Sequence, residues 1–156
     1  MDAIKVSGRL TKSFATKGID PERLELKGRC PHPKLLAGYN DVDIALDPYP
    51  YSGGLKTYEA IWMGAPVVTM PRNTFASRHL TSHLMALGAP EFIATDESTY
   101  VQLAVNLASD PDALAQMRQN LHSKMEVLPI CDHPRFATGF STLLCRMWHN
   151  WSRSNK

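Results

Sequence analysis

Short runs of β-type residues alternate with longer stretches of helical spacing, and this alternation limits what the chain can fold into more than any other feature. LELK at 24–27, DIAL at 43–46, PVVTM at 66–70 and EFI at 91–93 predict strands. PKLLAGYN from Pro33, KTYEAIWMG from Lys56 and ASRHLTSHLMALG from Ala76 predict the helices between them. Strand-to-strand distances are too long for hairpins, so the connections read as right-handed βαβ crossovers. The expected fold is α/β, a Rossmann-like, doubly wound parallel sheet with helices on both faces.

The pattern changes toward the end of the chain, where residues 95–152 read as mainly helical. ESTYVQLAVNLAS, DPDALAQMRQNLHSKMEVL and PRFATGFSTLLCRMWHNW predict consecutive helices, the second opened by a cap at Asp110-Pro111. The last is strongly apolar, with Phe136, Phe140, Leu143, Leu144, Met147, Trp148 and Trp151. It is suited to cover this sheet or to dock on another domain, and the final SRSNK is expected to fray. At the other end, Ala3–Val6 reads as a weak strand and Arg9–Lys17 as a helix. The strand, glycine turn and helix that usually open a nucleotide-binding sheet are not evident. The expectation is one lobe over residues 1–156, truncated at its N-terminal side, and 156 residues suffice for a single core.

Composition narrows the partners. Seventeen basic and fifteen acidic residues are well mixed and leave a net charge of +2, so no basic face for nucleic acid is expected. No run approaches the roughly 20 apolar residues that cross a bilayer, and MDAIKVSGRL lacks a secretory apolar core. The reading is a cytoplasmic protein with no membrane partner. Cys30, Cys131 and Cys145 form no CxxC pair and read as free thiols.

The stretch DPYPYSGGLKTYE, from Asp47 to Glu59, is the one most suited to chemistry. It leaves the carboxyl end of a strand, where open α/β sheets bind ligands, and turns through two glycines into a helix. Gly53 and Gly54 let backbone N–H groups approach an oxyanion with no Cβ in the way. The helix N-terminus after them adds donors and partial positive charge, a natural place for a diphosphate. Lys56 and Thr57 would add an ammonium and a hydroxyl, and Glu59, one turn on, a carboxylate for a ribose diol. The plainer reading is a tight turn with a carboxylate that complements the helix dipole. Neither the Walker spacing nor GxGxxG is present, so the residues by themselves leave both readings open.

VDIALDPYPYSGGLKTYEAIWMGAPVVTMP followed by FASRHLTSHL resembles the C-terminal lobe of the O-linked N-acetylglucosamine transferases, glycosyltransferase family 41, nearest its bacterial and SPINDLY-type members. The resemblance runs back through GIDPERLELKGRCPHPKLLAGYNDVD and forward through ICDHPRF to the last helix. It implies one lobe of a GT-B architecture that holds a UDP-sugar, typically UDP-N-acetylglucosamine, for inverting, metal-independent transfer to Ser or Thr hydroxyls of an acceptor protein. By position it implies that Gly53, Gly54, Leu55, Lys56 and Thr57 form the diphosphate turn and that Glu59 faces the ribose. Arg29, Cys30 and His32 match the segment against the base and sugar-phosphate.

The departures matter as well. Lys56 stands where the family usually carries a small hydroxyl residue, a change that could strengthen phosphate binding or crowd the turn. The family's Gln-x-x-Lys phosphate segment, its other lobe and its tetratricopeptide repeats have no counterpart in the chain, and the catalytic base is expected outside it. The expectation is a partial lobe, inactive alone, since half a cleft cannot orient donor and acceptor together. The alternative is a noncatalytic remnant or protein-interaction domain of the same family without donor binding. A sheet edge left bare invites pairing with another copy. Asp41 and Asp43 form a DxD that reads as structural. His79 and His83, four apart on a helix, have no third ligand in sight and read as structural or surface residues rather than a zinc site. Ser77 and Arg78 read as helix-capping or donor-bordering residues, and Tyr58, Trp62 and Met63 as facing the core.

Overall fold

Two compact units divide the chain between Leu35 and Leu36, in a computed structural model that describes residues 3–128 and 131–154. The first unit begins with helix α1 (Ala3–Ala15). Its opening residues were expected in a strand, but Val6, Leu10 and Phe14 recur every four residues, a helical period that outweighs local β-branching. The chain then makes a 3-10 turn at Pro21–Arg23, where the Asp20 carboxylate accepts the Glu22 N–H at 3.0 Å. LELK at 24–27 does not form the expected strand, and Leu26 stays 47% exposed. Two apolar residues supply the alternation, but the segment lies outside the two-stranded sheet, and the Leu24 N–H returns to the Pro21 carbonyl at 3.0 Å instead of pairing with a strand. Helix α2 (His32–Ala37) spans the boundary between the units.

The second unit carries the sheet. Strands β1 (Ala45–Asp47) and β2 (Val67–Thr69) pair in parallel, with Ala45 opposite Val67 and Asp47 opposite Thr69. Ile93 adds a single parallel bridge to Thr69 on the far side of β2. The parallel arrangement expected from the alternation is present but small. EFI contributes only that bridge, because Pro90 starts a 3-10 turn at Pro90–Phe92 instead of a strand. Helix α3 (Leu55–Trp62) is the crossover between the strands, and α4 (His79–Ala86) follows β2.

The core forms where these elements meet. Ile61 of α3, Val67 of β2, and Leu80 and Leu84 of α4 are almost wholly buried, with Phe92 beside them. Helix α5 (Glu97–Ser109) starts at the Asp96 cap and α6 (Pro111–Glu126) at Asp110. Each cap carboxylate accepts the N–H three residues on, at 2.8 and 3.0 Å. Leu121 and Met125 bring α6 into the core. Arg118 of the same helix donates to the carbonyls of Val42 and Asp43, which tethers the approach to β1. Helix α7 (His133–Ser154) extends through part of the tail expected to fray. It contributes no buried residue; Phe136, Trp148 and Trp151 are each about 60–70% exposed, so it does not cover the sheet.

Glycine is required where α3 ends. Gly64 has φ of +84°, and the Ala65 N–H returns to the Ala60 carbonyl at 2.8 Å, closing the helix with a left-handed residue. This reversal sends the chain directly into β2.

Candidate functional site

The loop that leaves β1 is anchored by Asp47. This carboxylate is 6% exposed and accepts two hydrogen bonds at 2.8 Å, from the Gly53 N–H and from the Thr69 hydroxyl. One side chain thus ties the glycine turn to the second strand. Ser52, 3% exposed, ties the same turn to α4: its hydroxyl accepts the Leu80 N–H at 3.0 Å, and its own N–H reaches the Ala76 carbonyl at 2.9 Å. A residue 28 positions away in sequence therefore caps α4, the role expected of Ser77 and Arg78. Those two brace the loop instead: the Arg72 N–H donates to Ser77 Oγ, and Arg78 Nε donates to the Arg72 carbonyl.

Gly53 and Gly54 then lead into α3. A Cβ on Gly53 would lie 2.7 Å from Cγ2 of Thr57, so the turn is built around a missing side chain. Gly54 is the N-cap residue and has no side chain to cap with. Among the described residues no side-chain cap closes this helix start; the Thr57 N–H turns back to the Gly54 carbonyl at 3.2 Å, which leaves the Leu55 and Lys56 amides as the donors of the first turn. Leu55 and Lys56 are exposed, and Gly53 and Gly54 are partly so. The bend therefore opens to solvent. A pocket of about 540 Å3 in the same unit is lined by Asp43, Met63, Pro111 and Arg118, with no residue from the turn. The turn is an open ledge.

Thr57 is placed otherwise than the sequence suggests. It is 7% exposed, and its hydroxyl lies 2.8 Å from the Gly53 carbonyl, 2.7 Å from the Gly54 carbonyl and 3.2 Å from Nδ1 of His83. The hydroxyl thus faces the inner side of its own turn. Glu59 is half-buried beside Tyr39, whose hydroxyl donates to the Lys56 carbonyl at 3.1 Å. Burial, reinforced by the Glu59 charge, raises the Tyr39 pKa. The structure brings Gly53, Gly54, Leu55, Lys56, Thr57 and Glu59 together on one turn and the start of one helix. Arg29, Cys30 and His32 belong to the first unit; Arg29 and Cys30 are exposed in irregular chain, and His32 is the exposed first residue of α2.

Asp47, Ser52 and His83 shape this turn without standing out as site residues in the sequence. The signals available were weak: an acidic residue inside an apolar strand, and a histidine on a core-facing helix. The His83 ring stacks on Tyr58 with centroids 3.6 Å apart. Tyr58 is half-buried as expected, whereas Trp62 is 38% exposed and lies edge-on to His122.

Burial, then the neighbouring His79, lower the His83 pKa, and the Asp47 charge opposes them only in part. The folded chain therefore favours neutral His83 relative to the unfolded one. The associated stability is present above about pH 6.5 and is lost as pH falls through the lower native pKa. Thermal melts at pH 7.5 and 5.5 should show a smaller acid-induced drop for His83→Asn than for the parent. An equal drop would remove His83 from the account.

The sequence profile of glycosyl transferase family 41 matches residues 7–139. The probable UDP-N-acetylglucosamine–peptide N-acetylglucosaminyltransferase SPINDLY of Arabidopsis thaliana is 37% identical over 118 residues, 76% of this chain and 13% of the relative. Its counterpart from Oryza sativa subsp. japonica is 33% identical over 145 residues, 92% of this chain and 16% of the relative. A solved structure of a mutant O-GlcNAc transferase from Thermobaculum terrenum superposes with a TM-score of 0.87 at 35% identity, covering 96% of this chain and 29% of that one. The chain thus spans a minor share of the length of its relatives. Among the described residues no helix is long and apolar enough to cross a membrane. On the strength of the profile, the identities and the superposition, this chain belongs to glycosyl transferase family 41.

Proposed function

We propose that the chain binds the donor of a protein O-glycosyltransferase, a UDP-sugar with N-acetylglucosamine as the expected sugar, along the ledge from Gly53 to Glu59. The observation that carries this reading is the uncapped start of α3 behind two glycines, open to solvent beside Lys56, in a chain of this family. The amides of Gly54, Leu55 and Lys56 and the Lys56 ammonium would receive the diphosphate, and Glu59 would accept hydrogen bonds from the ribose hydroxyls. Thr57 acts from behind the turn instead of on the phosphate. Arg29, Cys30 and His32 are proposed on family position alone to meet the base and sugar-phosphate.

In the transfer reaction, an acceptor Ser or Thr hydroxyl displaces UDP at the anomeric carbon with inversion. Negative charge then grows on the leaving diphosphate, where fixed amide dipoles and a cation stabilise it. The reading includes no metal step. The ledge would hold the donor only, so the 156-residue chain by itself is expected to turn over little or no labelled UDP-N-acetylglucosamine; clear hydrolysis or transfer would refute that part.

Calorimetric titration with UDP tests the binding. Saturable binding is expected, weakened about 10- to 100-fold by Glu59→Ala, the loss that suits a charged hydrogen-bond acceptor. Absence of binding by the parent chain would favour a noncatalytic domain of the same family.

A further inference from the structure

We infer that His83 is a positioning residue for the diphosphate turn, donating from Nδ1–H to Thr57 and so holding the turn's peptide planes with their N–H groups facing outward. This rests on the proposed reading of the turn as a UDP-sugar site. It follows from counting hydrogens. The Thr57 hydroxyl has one proton and two carbonyl acceptors, Gly53 O at 2.8 Å and Gly54 O at 2.7 Å. That proton is shared between them. The third contact, to His83 Nδ1 at 3.2 Å, must then bring its own hydrogen. His83 is therefore protonated on Nδ1, which leaves Nε2 as the acceptor in the neutral ring.

The consequence for the turn follows from peptide geometry. In a trans peptide the C=O and the N–H of one unit point in opposite directions. Drawing the Gly53 carbonyl toward Thr57 turns the Gly54 N–H away from it, and drawing in the Gly54 carbonyl does the same for the Leu55 N–H. Asp47 meanwhile takes the Gly53 N–H inward. The two amides that follow are thus presented on the face opposite Thr57.

His83 holds Thr57 from behind. Its ring is clamped by Tyr58 at 3.6 Å between centroids. The charged or titratable groups acting on it are His79 on its own helix and Asp47 from β1. Burial disfavours the charged ring, and the imidazolium would also carry a proton on Nδ1, so acid does not remove this donor.

Two measurements on the full chain decide the matter. Long-range 1H–15N correlation spectra above the His83 pKa should show the Nδ1–H tautomer, the minor one for a free imidazole. UDP titration should find His83→Asn, whose amide nitrogen replaces Nδ1, within about threefold of the parent, and His83→Leu weakened about tenfold, the size of one lost hydrogen bond. Circular dichroism confirms that each variant is folded at the titration temperature. A parent that binds UDP while His83 shows the Nε2–H tautomer, or a Leu variant that binds as well as the parent, overturns the inference and leaves the site reading standing. A parent that fails to bind UDP overturns the site reading and this inference with it.

Discussion

Gly64→Ala is expected to destabilise the second unit by about 2–5 kcal/mol, from roughly 1–2 for a left-handed alanine and 1–3 for overpacking. The backbone φ there is +84°, and a Cβ would lie 2.8 Å from the carbonyl oxygen of Arg118. That oxygen belongs to the interior of α6, where moving it would disturb the contact between α6 and α3. Gly88, which ends α4 with φ of +65°, is the control, since a Cβ there meets nothing within 4 Å. Gly88→Ala should cost only the backbone preference, about 1–2 kcal/mol. Urea unfolding of both variants measures the difference. Equal shifts in midpoint would show that the close approach to Arg118 contributes nothing.

Asp47→Ala should have a comparable effect on stability and a larger one on binding. The carboxylate satisfies the Gly53 N–H and the Thr69 hydroxyl, and Thr69 is only 1% exposed. Removing it leaves a buried hydroxyl and the turn's own amide without their acceptor, at a cost of about 2–4 kcal/mol. For a chain of this length that lowers the melting temperature by roughly 4–16 °C. UDP binding should fall with it, because Gly53 loses the bond that fixes its direction. Asp47→Asn keeps an acceptor for Gly53 and lets Thr69 reverse its hydroxyl, so its effect should be less than half as large. An alanine variant that melts with the parent would show that Asp47 is not the anchor of the turn.

The elements that were legible carried local signals. Asp96 and Asp110 stand where helix caps are needed, and α5 and α6 begin at them. DIAL and PVVTM are apolar runs flanked by turn residues; β2 lies within the second, and β1 overlaps the end of the first and runs one residue past it to Asp47. The segments that misled were short. LELK alternates as a strand does, but pairing is not encoded in four residues, and its backbone lies outside the sheet. Ala3–Val6 looks extended until Leu10 and Phe14 are counted with it. In EFI the proline ahead of the run outweighed the run itself.

The candidate site divides in the same way. That a double-glycine bend follows a strand and opens a helix was legible, because glycine placement and helix start are local properties. Which way each group on that bend faces was not. Thr57 stands on the loop as a ready phosphate ligand, yet its hydroxyl turns inward to two carbonyls and a histidine 26 residues away. Ser52 gives no sign in the sequence that it caps a helix 28 residues further on. The sequence alone determined the family, the parallel strand–helix–strand unit and the position of the glycine turn. The tertiary structure decided which polar groups are consumed holding that turn and which way its side chains face. Hydrogen bonds between residues far apart in the chain depend on the core of Ile61, Val67, Leu80 and Leu84, which holds α3, β2 and α4 together.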